Sequence, residues 1–276
     1  MKLSLYLSVV LLAISCSSEM NGEDIGNYTL DMFRQDGVHQ IATHSQPIVH
    51  PYDELKKKVY LSSIPIQSYG DQVYAFNKGN AVALIDLESM KEEKVYQFLD
   101  KYILISIAKV DKSNIWCSTY SLPYQNKYQI WKINIKDKIA VQIAIAASAN
   151  FSHESDHTSY IGEDNLIHIR SEKGSERVLD IVADSPTLLP NGQGIVYIKH
   201  GFFQSLEHLL FSSNKSQTIK RSYFGSFAPP IRISNDGKAV AFTFLSDIFP
   251  APIVVFDLDS GSQILKAKAA RNWLFK

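Results

Sequence analysis

Cysteine is almost absent from this chain, which has only Cys16 and Cys117 among its 276 residues. That excludes a disulfide framework as the device holding the fold together, so any domain here stands on a hydrophobic core. An excess of charge of one sign is lacking too. Lys plus Arg and Asp plus Glu are 28 each, so no nucleic acid or other polyanion is implied as a partner. Short basic clusters, Lys56-Lys57-Lys58 and the tail set Lys266, Lys268, Arg271 and Lys276, read as solvated faces. No Gly-x-Ser-x-Gly elbow, phosphate loop or dinucleotide fingerprint occurs, and no cofactor is expected. Helical spacing is scarce. Its best candidate, Ser89 to Leu99, ends in Val95-Tyr96-Gln97-Phe98, which alternates equally well as a strand.

What the chain does have begins at its first residues, MKLSLYLSVVLLAISCSS. Lys2 supplies a positive start, and the apolar run Leu3 to Leu12 is too short to span a bilayer, so residues 1–15 read as a cleaved signal peptide and the mature chain as exported. The end of this segment, Leu12-Ala13-Ile14-Ser15-Cys16, resembles the bacterial lipobox, in which a cysteine at the cut is acylated. The resemblance implies a lipid anchor on Cys16, although the family's leucine three before the cysteine is here Ala13. Ala13 and Ser15 also suit an ordinary signal peptidase, which would leave Cys16 a free thiol. Ser17 after the cysteine resembles lipoproteins sorted to the outer membrane. Residues 16–26, polar and glycine-containing, read as a flexible tether, and residues 27–276 as the folded domain.

About 260 mature residues with 45% hydrophobic and 11% aromatic content suit a globular domain. Short alternating runs rich in Val, Ile, Tyr and Phe recur between turn residues, among them 72–76, 81–86, 103–108, 128–135, 165–169, 194–199, 239–244 and 253–257. That pattern is all-β. Cys117 falls in one such run, Asn114 to Tyr120, and is expected to be buried and inert. A unit of four strands separated by Asp-, Asn- and Gly-containing turns repeats along the chain, with turn centres near 71, 112, 164, 191 and 236.

The clearest copy, SNDGKAVAFTF followed by IVVFDLDSGSQIL, resembles the repeat of TolB-like and related WD-repeat-like β-propellers. Asp236-Gly237 and Asp259-Ser260-Gly261 are the tight turns such a blade needs. Where the family usually has proline before the aspartate, this chain has Asn235. The resemblance is good over 184–270, fair over 58–146 and poor over 27–57 and 147–183. It implies a β-propeller and carries no catalytic residue with it. Five units are readable, and at about 40–45 residues per blade the chain has room for about six four-stranded blades. The sixth is expected to combine strands from 27–57 with the tail Asn272-Trp273-Leu274-Phe275, closing the ring. An open β-sandwich pair is the alternative.

One motif points to chemistry. His153-Glu154-Ser155-Asp156-His157 matches HExxH, with Glu176 and Asp180 following, which resembles zinc aminopeptidases of the gluzincin type. That mechanism needs a helix, so that residues i and i+4 face one metal. The flanking residues give no apolar stripe for one, and the segment reads instead as a polar inter-blade loop. Adventitious metal binding by His153, Asp156, His157 and His168 is a weaker version of the idea. His39, His44 and His50 match no ligand pattern. Aromatic residues beside Gly and Pro, namely Phe202, Phe203, Tyr223, Phe224, Phe227 and Phe249, are the preferred contact region, against the alternative that they pack between blades.

These readings converge on a lipid-anchored cell-envelope propeller that binds a protein or peptide and catalyses nothing. The alternative is an enzyme, either a metal-dependent peptidase using His153 to His157 or a small-molecule enzyme using the propeller cavity.

Overall fold

The computed structural model describes residues 28–34, 37–43, 46–51, 67–69, 73–78, 80–86, 89, 91–121, 127–223, 225–245, 252–267 and 272–275. The expected signal peptide, Cys16 and the tether lie outside them, as do Lys56 to Lys58, Phe224 and Phe249. All regular structure among the described residues is strand. The first blade holds β1 (Thr29–Arg34), β2 (Gly37–Ala42) and β3 (Ile48–His50), and the second β4 (Gln67–Tyr69), β5 (Val73–Lys78), β6 (Ala81–Asp86) and β7 (Lys91–Gln97). The third holds β8 (Tyr102–Val110), β9 (Asn114–Ser121), β10 (Tyr128–Asn134) and β11 (Ile139–Ala146). In the fourth, β12 (Phe151–Glu154), β13 (His157–Ile161) and β14 (Leu166–Ser171) lead into β15 (Glu176–Leu188). The first half of β15 closes the fourth blade and its second half opens the fifth, which continues through β16 (Gly194–Lys199), β17 (Ser205–Leu210) and β18 (Lys215–Arg221). The sixth is β19 (Ser226–Ile233), β20 (Ala239–Leu245), β21 (Ile253–Asp257) and β22 (Gln263–Ala267). The last strand, β23 (Asn272–Phe275), returns to the first blade and pairs with β1, Leu30 opposite Phe275 and Met32 opposite Trp273.

The ring therefore closes as the sequence suggests. Trp273 and Leu274 are buried by it, and the inner edge of β1 is paired rather than left open. The helix candidate at Ser89 to Leu99 resolves as strand β7.

The core is a set of layers between blades. In β20 and β21, Val240, Phe242, Val254 and Phe256 pack toward the fifth blade, whereas Ala239, Ala241, Ile253 and Val255 pack toward the first. Period-two alternation thus sends both sets of side chains into apolar contact, which is why these strands read as unbroken hydrophobic runs. Cys117 lies fully buried between the second and third blades, and burial pushes its thiol pKa far up. It is the inert residue expected.

Turns fix the register. In the third to sixth blades the inner strand reaches its second strand by a hairpin at one end of the ring, here the inner-turn face. In the sixth blade Gly237 takes φ 74°, and Asp236 accepts from the Lys238 amide and the Ser234 hydroxyl. In the fifth, Gly192 takes φ 68° and Asn191 accepts from the Gln193 amide. The fourth blade corrects the repeat read from sequence. Its equivalent turn is Ser155-Asp156, at φ 47° and 64°, whereas Asp164-Asn165 joins the second strand to the third at the opposite end. With the turn at 156 in place of 164, the intervals to the turns at 112 and 191 become 44 and 35 residues in place of 52 and 27, which evens the repeat.

Candidate functional site

The inner strands of all six blades surround an axial channel of about 590 Å³. Its wall mixes apolar side chains (Ile105, Ile107, Leu188, Ile231, Leu274) with serines, amides and two charges of each sign, Lys109 and Arg232 against Asp31 and Glu154. Most of its polar groups knit the wall. Gln67 donates to the Ala108 carbonyl at 2.6 Å, spanning the second and third blades. Ser106 is bonded to Ser118 at 2.8 Å and donates to the Ala149 carbonyl. Ser152 bonds Ser159 and accepts from the Leu188 amide, and Ser159 donates to the Pro186 carbonyl. Lys109 and Glu154 pair across the third and fourth blades toward the inner-turn face. The Arg232 guanidinium lies 5.4 Å from the Trp273 ring centroid, and burial lowers its pKa to about 9, still charged at neutral pH.

The HExxH segment is a two-residue β-hairpin within the fourth blade, not the inter-blade loop expected and not a helix. Glu154 pairs with His157, and His153 with Thr158. Strand alternation sends neighbouring side chains to opposite faces, so the metal-binding set is taken apart. Glu154 points to Lys109 in the channel wall, while His153 is 5% exposed and stacks on Trp116, centroids 4.0 Å apart. Its Nδ1 is 2.9 Å from the Thr158 hydroxyl. Burial first, then Lys109 and Lys132, lower the His153 pKa to about 4. His157 is exposed, its Nδ1 2.7 Å from the Ser155 carbonyl. Glu176 accepts from the Tyr160 hydroxyl at 2.5 Å and lies 3.0 Å from His168 Nδ1, whose other nitrogen faces Asp164 at 3.0 Å. Asp180 is exposed on β15. No group of three or more possible ligands converges among the described residues.

The aromatic set divides. Phe227 is buried against Phe242 and Phe244, the packing alternative. Phe202 and Phe203, between β16 and β17, and Tyr223, between β18 and β19, instead form a surface cluster, 95%, 44% and 60% exposed. Phe202 meets Phe203 edge-on with centroids 4.7 Å apart, and Phe203 meets Tyr223 at 5.1 Å. Two loops are thereby joined, and polar contacts reinforce them. The Ser222 amide donates to the Gln204 carbonyl, the Phe227 amide to the Gln204 side chain, and the Ser222 hydroxyl to the Gly225 carbonyl. β16 starts beside the inner turn at Asn191 to Gln193 and ends at Lys199, so the cluster sits at the opposite end of the ring, the outer-loop face.

No protein-family model matches the chain, and no curated protein matches it in sequence. Solved structures do resemble it. TolB from Acinetobacter baumannii superposes with a TM-score of 0.61 at 11% identity, covering 98% of this chain and 71% of that one. A putative TolB from Agrobacterium tumefaciens gives 0.59 at 12% identity over 89% of this chain and 92% of its own. An oligogalacturonate lyase in complex with manganese gives 0.53 at 12% identity, over 85% and 70%. At these identities the likeness establishes a fold and no activity: the chain is an all-β propeller whose structural neighbours are TolB-like propellers.

Proposed function

We propose that this protein is a lipid-anchored cell-envelope β-propeller, acylated on Cys16, that holds a protein or peptide partner on its outer-loop face and performs no catalysis. The observation that carries the reading is the exposed Phe202-Phe203-Tyr223 cluster, whose rings are held by ties between two loops rather than by burial. Rigid exposed aromatics supply large contact area at little ordering cost, which is what a binding surface needs. The signal peptide and lipobox-like cysteine support the envelope location, with the outer membrane the expected one. The partner is accordingly an envelope protein or a peptide segment of one.

The test is in-cell cross-linking and affinity purification of the tagged full-length chain beside the F202A/F203A/Y223A variant. The reading expects a dominant envelope protein that the variant loses. Unchanged capture by the variant would show that another face binds. Cys16→Ser is expected to abolish fatty-acid labelling and release the protein from the membrane fraction; a labelled variant would refute the anchor.

A further inference from the structure

The strand register of the fifth blade adds charge to the aromatic cluster. Lys199 pairs with Ser205, and Ser205 with Arg221, so one row across β16, β17 and β18 carries two exposed cations directly beneath the aromatic loop. Lys220, one residue before Arg221, turns to the opposite face of the blade, where its ammonium lies 5.8 Å from the Phe256 ring centroid. Neither 199–206 nor 215–225 contains an Asp or Glu. Glu207 is buried mid-strand and accepts from Thr218. Among the described residues, Asp184, opposite Ile198 on β15, is a neighbouring acid at this end, and its carboxylate is engaged by Ser148 and Ser185.

The chain enters the fold at the other end. The Tyr28 hydroxyl donates to Asp236 at 3.4 Å, in the inner turn of the sixth blade, and Leu30 opposes Phe275 at the end of β23. The six residues of β16, about 17 Å of strand, separate the inner-turn face from the aromatic one. Tyr28, where the described chain begins, therefore lies on the face opposite the cluster, so that with the anchor proposed above on Cys16 the aromatic and basic surface is on the far side of the ring from the point of attachment.

We infer that the Phe202-Phe203-Tyr223 cluster with Lys199 and Arg221 is a docking site for an acidic, apolar peptide segment of a partner protein. The inference rests on the binding reading above and adds the chemistry of what is bound. Apolar side chains of the segment cover the three rings, and its carboxylates meet the cationic row. Rim charges of this kind act through steering and salt-sensitive attraction.

The test uses full-length protein in neutral detergent and two fluorescein-labelled peptides, one alternating Asp and Glu with Leu and Trp, the other its Lys-substituted counterpart. The acidic peptide is expected to bind about tenfold tighter than the basic one, to weaken at high salt, and to be lost in both K199E/R221E and F202A/Y223A. Equal binding of the two peptides, or indifference to K199E/R221E, overturns the inference. So does binding of phosphatidylglycerol vesicles in place of the acidic peptide. If the aromatic variant loses the cross-linked partner in cells while K199E/R221E retains it, the binding reading stands and the acidic chemistry falls.

Discussion

As the pH falls from 7 toward 4, a histidine in the unfolded chain takes up its proton near pH 6.5, whereas His153 in the fold resists until about pH 4. Burial is the first cause, because the imidazolium loses its water against Trp116; Lys109 and Lys132 add like-charge repulsion. Across that interval the unfolded state binds more protons. The stability that His153 supports is therefore complete above pH 6.5 and declines as the pH falls to about 4. The difference between the two values corresponds to about 3 kcal/mol, a large share of the 5–15 kcal/mol typical of a domain. The assay is urea denaturation followed by Trp fluorescence at pH 7.5, 6, 5 and 4, on the wild type and His153→Phe. Phenylalanine keeps the ring on Trp116 and removes the titration, at a cost of about 1 kcal/mol at pH 7 from the lost Thr158 bond. The stability of the wild type relative to the variant is expected to fall by about 3 kcal/mol between pH 7 and 4. Parallel pH profiles would refute the argument.

His168 is expected to titrate in the opposite sense: burial alone would lower its pKa, but the bonds to Glu176 and Asp164 and their charges outweigh it and raise the value above 6.5. Its contribution is present below pH 6.5 and is lost as the pH rises through the folded value; in an NMR titration of the histidine rings it should be the later of the two to lose its proton, and the reverse order would sink the assignment. Phe242, fully buried between Phe227 and Phe256, should cost about 3–5 kcal/mol on substitution by alanine, read as a lower urea midpoint. Truncation after residue 271 removes β23 and the buried Trp273. It should expose the inner edge of β1 and give self-association by size-exclusion chromatography, and a stable monomeric truncation would show that closure matters less than the pairing implies.

Much of the fold could be read from residues. Asp236-Gly237 and Asn191-Gly192 announce hairpins because glycine supplies the positive φ those turns need, and the unbroken apolar runs of the sixth blade announce strands buried on both faces. The fourth blade was harder. Its inner turn is built from Ser155 and Asp156, two residues without glycine, inside a string that matches a zinc motif. Nothing in a five-residue match distinguishes a helix, where the histidines share a face, from a hairpin, where pairing divides them. The aromatic set shows the same divide: residue type made Phe202, Phe203, Tyr223 and Phe227 equal candidates, and only the packing of the sixth blade took Phe227 into the core.

The sequence by itself determined the class: no disulfides, period-two alternation and repeated turn chemistry leave an all-β chain of repeated four-stranded units, because these are local properties of backbone and side chain; the propeller was implied by resemblance, and its closure is the long-range pairing of β23 with β1. The tertiary structure decided what long-range register alone can set. Pairing across β16, β17 and β18 brought Lys199 into line with Arg221 under the aromatic loop, and pairing across β12 and β13 sent His153 into an apolar stack and Glu154 to a lysine on the next blade. Residues far apart in the chain become one surface only when the strands between them are paired.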